Sequence, residues 1–383
     1  MTAVEKVEPP GSARYKSMRV LVVSDSPPER NGVGSYYADL VRQLDSRIDR
    51  SVLVCPGGKR SAWNRYLLPP LPGDSTQKIW LPNPIRLWRE LRDVRPHVIV
   101  LPTPGPYGIA GLLAARIMDI PVIAAFHTHF EALAGMYWAT LFGSLSKWYL
   151  SSCNRLLFRH SELVLANSRE MMHQAREFGA HRVELMGTSV SSEFIERPQV
   201  PIKAHVRRVL FVGRLAEEKN LPALIEAATA LPELHFTVAG EGPQRDIVEA
   251  AGTRLPNFDY IGWQPRDALV DVIDSHDLLV LPSHVESFGT VALEAMARGR
   301  LVLVSRACGI TDWPELAAAL FIIGDDESLA QALRRVSALP EATRRECSKN
   351  AREAAHYLND WNLRAWTAWL DRSRSARRNT HEQ

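Results

Sequence analysis

Cysteine is scarce in this chain: Cys55, Cys153, Cys308 and Cys347 are the only four in 383 residues, and none stands at CxxC or CxH spacing. Neither a zinc site nor a disulfide framework is indicated, which suits a reducing cytosol. Long apolar runs are missing too; none approaches the roughly 18 residues that a membrane-spanning helix needs. Residues 1–17 hold Glu5, Glu8, Pro9 and Pro10 where a signal peptide needs an apolar core, so they are expected to be a disordered leader. An excess of charge of either sign is missing as well, the net being only +3. No nucleic-acid-binding module is recognisable, and nucleic acid is not expected as a partner.

What charge there is lies unevenly. Residues 1–200 hold 24 Lys/Arg against 18 Asp/Glu, and residues 201–383 hold 22 against 25. The N-terminal half therefore has a candidate basic surface. Hydrophobic content of 46% and charged content of 23% are those of a globular protein. The length fits two domains of about 150–200 residues better than one core.

Short apolar, β-branched runs recur along the chain at Met18–Ser24, Ser51–Cys55, His97–Leu101, Pro121–Ala125 and Leu163–Ala166, with helical stretches such as Tyr107–Met118 between them. This alternation predicts a doubly wound α/β domain, whose ligands bind beyond the carboxyl ends of the strands. After the first strand, Gly32 and Gly34 open a helix, where backbone can approach a phosphate closely. The dinucleotide fingerprint is incomplete, because Tyr37 stands where its third glycine belongs. A tight turn with no ligand fits these residues nearly as well.

His127 and His129 share the loop after the fourth strand; no carboxylate or cysteine at convincing spacing completes a zinc site, so a histidine bonded to substrate is the better reading. Residues 59–92 break the βαβ rhythm, interleaving Trp63, Tyr66, Trp80 and Trp88 with basic side chains. The stretch 141–160, with Trp148, Tyr149, Lys147, Arg155 and Arg159, suits either a helix lying on anionic lipid or an ordinary helix packed on the sheet.

Residues 193–205 read as a linker, with Pro198 and Pro201. A second α/β domain follows, with strands at Arg208–Val212, His235–Ala239, Phe258–Ile261, Leu278–Leu281 and Leu301–Ser305. Gly213 permits a sharp turn at the first strand's end, and Arg214 and Lys219 place two cations there, where a diphosphate would be held. Gly240-Glu-Gly-Pro243 and Gly262-Trp-Gln264 close the next two strands on the same edge. After Leu281, the stretch Glu286-Ser-Phe-Gly-Thr-Val-Ala-Leu-Glu294 reads as loop then helix. Its Phe288, Gly289 and Thr290 offer backbone N–H groups at a helix N-terminus, where an anion is favoured. Taken alone, this stretch reads more readily as an ordinary capped surface helix with a solvated Glu; the other motifs reverse that. A helical pattern over Tyr357–Trp369, with Trp361, Trp366 and Trp369 as buried anchors, and a frayed basic run Arg372–Arg378 complete the chain.

Together, Gly213-Arg214-Leu215 with Lys219, Gly240-Glu-Gly-Pro243 and Glu286 to Glu294 resemble the retaining GT-B glycosyltransferases of the family-4 type, over nearly the whole ordered chain. The resemblance implies a GT-B fold, α/β, of two Rossmann-like domains facing a cleft. They would span residues 18–195, completed by a C-terminal helix at 357–380, and residues 206–356. It implies a nucleotide diphosphate sugar as donor, retention of anomeric configuration and no required cofactor or metal, in keeping with the lack of a DxD-like motif. By position, Arg214 and Lys219 would bind the diphosphate, Glu294 the ribose hydroxyls and Glu286 the sugar near the reacting centre. Gly32 would approach the diphosphate and His127 the transferred sugar.

The segment from Phe126 to His129, the Trp/Tyr/Leu-rich stretch after it and Leu185–Phe194 resemble the branch that glycosylates membrane lipids, sulfolipid and glycolipid synthases among them. The expectation is therefore a hexose-type transfer, from a UDP-sugar rather than a GDP-sugar, to a hydroxyl of a membrane lipid. The enzyme would be cytoplasmic, on an anionic inner membrane face. A GT-B nucleotide-sugar epimerase, a transferase with a soluble acceptor and a non-catalytic binder stay open. One departure is the irregular Ala307–Glu315 segment, where the family usually carries Gly-Gly and then Glu.

Overall fold

The computed structural model describes residues 15–28, 32–57, 79–127 and 141–381, with 141–147 and 377–381 described as backbone alone. His129, Trp63, Tyr66 and most of the leader lie outside the described residues. The chain divides into two compact units, residues 1–189 with 359–383, and residues 190–358.

The first unit carries strands β1 (Arg19–Val23), β2 (Arg50–Val54), β3 (Val98–Leu101), β4 (Val122–Phe126), β5 (Leu163–Ala166) and β6 (Val183–Leu185). They form one parallel sheet in the order β2-β1-β3-β4-β5-β6. Its helices are α1 (Gly32–Asp45), α2 (Pro84–Val94), α3 (Pro106–Ile117), α4 (Leu141–Arg159) and α5 (Arg169–Glu177). Side chains alternate across a strand, and both faces of this sheet are apolar. Leu21 and Val23 join a core with Leu87, Leu91, Leu112, Leu157 and Phe158 from α2, α3 and α4. Val20 and Val22 join another with Tyr36, Tyr37, Leu40, Trp366 and Trp369.

The break in rhythm over residues 59–92 is thus partly a helix. Asn83 Oδ1 accepts the N–H groups of Ile85 and Arg86 at 3.0 and 3.1 Å, Pro84 supplies a preset φ, and Arg95 ends α2 in the left-handed region with φ 47°. Residues 15–17 also differ from the expected leader: Tyr15 is buried in the second core and its carbonyl accepts Met18 N–H at 2.9 Å.

The second unit begins with the short helix α6 (Ser192–Glu196) and then holds β7 (Arg208–Val212), α7 (Leu221–Ala230), β8 (His235–Ala239), α8 (Arg245–Arg254) and β9 (Phe258–Gly262). It continues with α9 (Arg266–Asp274), β10 (Leu278–Leu281), α10 (Thr290–Ala297), β11 (Leu301–Val304), α11 (Pro314–Ala317), β12 (Phe321–Ile322) and α12 (Leu329–Ser337). Its parallel sheet runs β12-β11-β10-β7-β8-β9. The central β10 and β11 are buried along their whole length, which a sheet covered on both faces requires. β6 and β12 were not legible in advance, being three and two residues long and only half-buried. The last helix, α13 (Glu341–His381), is far longer than its Trp-containing portion.

The expected linker is held rather than loose. Arg298, 1% exposed, grips Asp274 through Nε and Nη2 at 2.9 and 2.6 Å, and donates to the carbonyls of Phe194, Arg197 and Pro198 at 3.3, 2.8 and 2.6 Å. Arg300 donates to the carbonyl of Val200, and Arg344 to that of Ala204. Three guanidinium groups thereby satisfy backbone oxygens in α6 and in the irregular chain after it.

Candidate functional site

In an open parallel sheet, a ligand crevice forms beyond the carboxyl edge where the strand order changes direction. In the second unit that point lies between β7 and β10, which are hydrogen-bonded neighbours from distant parts of the chain. The loop leaving β7 is Gly213–Asn220, and the loop leaving β10 is Pro282–Gly289. They are joined by backbone and side chain: His284 N–H donates to Glu218 O at 2.8 Å, and Asn220 Nδ2 to Pro282 O at 3.2 Å. Asn220 itself sits at φ 54°, a left-handed turn that asparagine tolerates.

Across this junction Lys219 Nζ meets Glu286 Oε2 at 2.6 Å, with both side chains largely buried. Burial on its own depresses the Lys219 ammonium, but Glu286, with Glu218 behind it, lifts it above the ordinary lysine value. The lysine is therefore a fixed cation. Beside it, Arg214 contacts Glu218 Oε1 through Nη2 at 2.5 Å and Nε at 3.2 Å. Each expected cation thus has an acidic partner that sets its direction.

Glu286 and Phe288 are held from the far side by the irregular segment after β11. Gly309 N–H donates to Glu286 O and Ile310 N–H to Phe288 O, both at 2.9 Å. A Cβ on Gly309 would stand 2.0 Å from Ser287 O, so only glycine lets the two loops approach. Cys308, beside this pairing, is buried and its thiol is pushed up to about 12, which makes it inert. Phe288 is buried, leaving only its backbone for a ligand. Gly289 caps α10 at φ 94° and accepts Ala292 N–H at 2.9 Å, so Thr290 and Val291 carry the first-turn donors of that helix. Glu294, one turn further, is buried and paired with Arg266 Nη2 at 2.8 Å, whose guanidinium lies 5.6 Å from the centre of the Phe194 ring.

The glycines of the 240–243 loop make room for neighbouring backbone. A Cβ on Gly240 would fall 1.8 Å from Gly213 O, and one on Gly242 2.4 Å from Leu215 O. They admit the neighbouring Gly213–Leu215 backbone, which Leu215 N–H to Glu241 O at 2.9 Å then pins. That contact fixes the backbone beside Arg214, while Glu218 sets the direction of its side chain.

Gly32 and His127 belong to the first unit. Gly32 is exposed at the start of α1 and a Cβ there would touch nothing within 4 Å, so its backbone is open to approach. His127 follows β4 at the same sheet's carboxyl edge; its Nε2 lies 2.8 Å from the Tyr37 hydroxyl, and burial pushes the imidazole down to about 3, keeping it neutral. At this unit's own switch point, between β1 and β3, Asp25 accepts from Thr103 Oγ1 at 2.6 Å and from the N–H groups of Tyr107 and Gly108 at 2.8 and 3.3 Å. Burial raises its carboxyl to about 6 against those bonds. Asp25 thereby caps α3.

Sequence reading missed Glu218, Arg266 and Asp25. Only Glu218 left a signal, the four-residue spacing from Arg214 within one loop. Among the described residues, no group of three His, Cys, Asp or Glu side chains could hold a metal ion, and no helix is long and apolar enough to cross a membrane.

Two family models match the chain in succession: "Glycosyltransferase Family 4" over residues 30–194 and "Glycosyl transferases group 1" over residues 192–354. The sulfoquinovosyl transferase SQD2 of Arabidopsis thaliana is 30% identical over 299 residues, covering 72% of this chain and 56% of that protein. The chain thus spans little more than half the length of this relative. Among solved structures, sucrose-phosphate synthase from Thermosynechococcus elongatus aligns with a TM-score of 0.73 at 17% identity, covering 94% of this chain and all of that one. The Anabaena protein HepE, solved with UDP-glucose, aligns at 0.64 and 15% identity, covering 93% of this chain and all of that one. Both likenesses are of fold.

Proposed function

From a chain that belongs to the family-4-type GT-B glycosyltransferases, near the sulfolipid-synthase branch, we propose a retaining, metal-independent enzyme. It transfers a hexose-type sugar from a nucleotide diphosphate sugar to a hydroxyl of a membrane lipid. The observation that carries the donor half is the Lys219–Glu286 pair at the switch point, with Arg214 beside it. A sugar leaving a diphosphate builds negative charge on phosphate and positive charge on the ring. Cations already oriented by Glu218 and Glu286 stabilise the first, and the Glu286 carboxylate the second, with no reorganisation cost during the reaction. The first-turn N–H groups of Thr290 and Val291 add donors for the same phosphates, and Glu294, aimed by Arg266, takes the ribose hydroxyls. Gly32 is assigned to the diphosphate and His127 to the sugar. The acceptor attacks on the face the phosphate leaves, and the phosphate takes its proton.

The lipid half rests on one face of the first unit. Helices α2, α3 and α4 share a core beneath that face. Outward they expose Ile85 and Trp88, Leu113 and Ile117, and Trp148, Tyr149 and Leu156, with Trp148 at 65% and Ile117 at 67%. Arg86, Arg89, Arg92, Arg116, Arg155 and Arg159 are exposed on the same three helices. Apolar and aromatic side chains among arginines suit the interface of an anionic bilayer.

Two measurements test the reading. UDP and UDP-sugars should raise the melting temperature more than GDP and GDP-sugars, since a ligand that binds only the native state stabilises it; no shift with any nucleotide diphosphate would remove the donor site. The protein should sediment with anionic vesicles at low salt and not with zwitterionic ones. Equal partition would remove the membrane argument.

A further inference from the structure

Two adjacent tyrosines on α1 divide their work. The Tyr36 hydroxyl accepts Trp366 Nε1–H at 2.7 Å and an Asn362 Nδ2–H at 3.4 Å, which ties it to the last helix. The Tyr37 hydroxyl, fully buried, has a single hydrogen-bond partner among the described residues: His127 Nε2 at 2.8 Å, the imidazole standing edge-on with ring centroids 5.3 Å apart. A neutral imidazole has one donor nitrogen and one acceptor nitrogen, and the bond made by one decides the role of the other.

Here the choice is constrained. Burial holds the Tyr37 phenol well above its ordinary value, so the hydroxyl keeps its proton. If Nε2 carried the imidazole hydrogen, it would donate to the phenol oxygen and the Tyr37 O–H would be buried with no acceptor. If Nε2 is bare, the O–H is satisfied and only spare oxygen lone pairs go unused, which is the cheaper defect. Nδ1 then bears the hydrogen. Nδ1 has no hydrogen-bond partner among the described residues, and His127 sits at the carboxyl edge of the sheet, where ligands bind.

We infer that Tyr37 is a positioning residue: its hydroxyl locks His127 in the Nδ1–H tautomer, so that the group this histidine offers a ligand is a hydrogen-bond donor. That the ligand is the transferred sugar rests on the reading given above; the tautomer does not. A hydroxyl on the sugar ring accepts from Nδ1–H without any proton changing hands. The bulky residue at the position of the absent third glycine thus has a role of its own.

The test uses the full chain with 15N-labelled histidine and long-range 1H–15N correlation spectra, the His127 signals being those lost in His127→Asn. The expected result is a protonated Nδ1 and a bare Nε2 in the wild type, and a mixed or Nε2–H form in Tyr37→Phe. With donor and acceptor supplied, Tyr37→Phe should lose roughly tenfold in kcat, about the worth of one hydrogen bond, with donor KM nearly unchanged. His127→Asn, whose amide N–H stands near the place of Nδ1–H, should retain more turnover than His127→Gln. An Nε2–H tautomer in the wild type, or an unaltered tautomer in Tyr37→Phe, would overturn the inference. Should Tyr37→Phe fail to fold, the wild-type spectrum and the Asn/Gln comparison decide it. A wild type that shows the Nδ1–H form yet transfers no sugar supports the lock and counts against the transferase reading alone.

Discussion

Lys219→Met should lower kcat at saturating donor by roughly 10²–10³-fold, the loss seen when one preorganised stabiliser of developing charge is removed. Methionine keeps the length and apolar stem of lysine, so what is removed is the charge together with the hydrogen bond it gives Glu286. Because the lysine is already held 2.6 Å from Glu286, its contribution does not depend on donor binding to bring it into place. The loss should therefore appear in kcat more than in KM. Arg214→Ala should act in the same direction. Since both cations serve one leaving group, the double variant should lose less than the product of the two single losses. Turnover unchanged in both single variants would dismiss the assignment, and a melting temperature for each separates lost chemistry from lost fold.

Arg298→Ala should destabilise the second unit by about 3–5 kcal/mol, the range for stripping one partner from a buried ion pair. The variant leaves the Asp274 carboxylate and three carbonyl oxygens without their donor. Arg298→Lys should recover only part of this, because an ammonium cannot reproduce a planar fork that reaches two carboxylate oxygens and three carbonyls at once. For a unit of this size the loss corresponds to a fall in Tm on the order of 10 °C. A shift below about 2 °C by calorimetry would show that water replaces the arginine without penalty.

The strands of both units were legible because buried parallel strands are short runs of Val, Ile and Leu closed by glycine or polar residues. Leu278–Leu281 and Arg208–Val212 have the bounds read from pattern alone. The loops with cations and carboxylates were legible for a related reason, since topology sends each strand's carboxyl end to one edge. What stayed hidden is pairing. Lys219 and Glu286 are 67 positions apart, Arg266 and Glu294 are 28 apart, and Tyr37 and His127 are 90 apart. No local periodicity links such partners; only closure of the sheet brings them together. Residues 193–205 show the same limit from the side of a loop. Prolines and the lack of apolar rhythm signal a loop correctly, but the donors that hold this one are arginines about 100 positions away.

The arginine-held segment has a consequence for how this stretch tolerates change. Most of its fastening points are main-chain oxygens, which every residue type supplies; side-chain identity enters at the buried Phe194, at the Arg197–Asp271 ion pair and at the Gln199 amide on the Ala297 carbonyl. Its spacing matters a great deal, because Arg298, Arg300 and Arg344 each meet a carbonyl at a set place along the chain. Residues 195–204 therefore behave as a ruler: most can be rewritten letter by letter, but adding or removing a single residue puts the marks on its two sides out of step with their guanidinium groups.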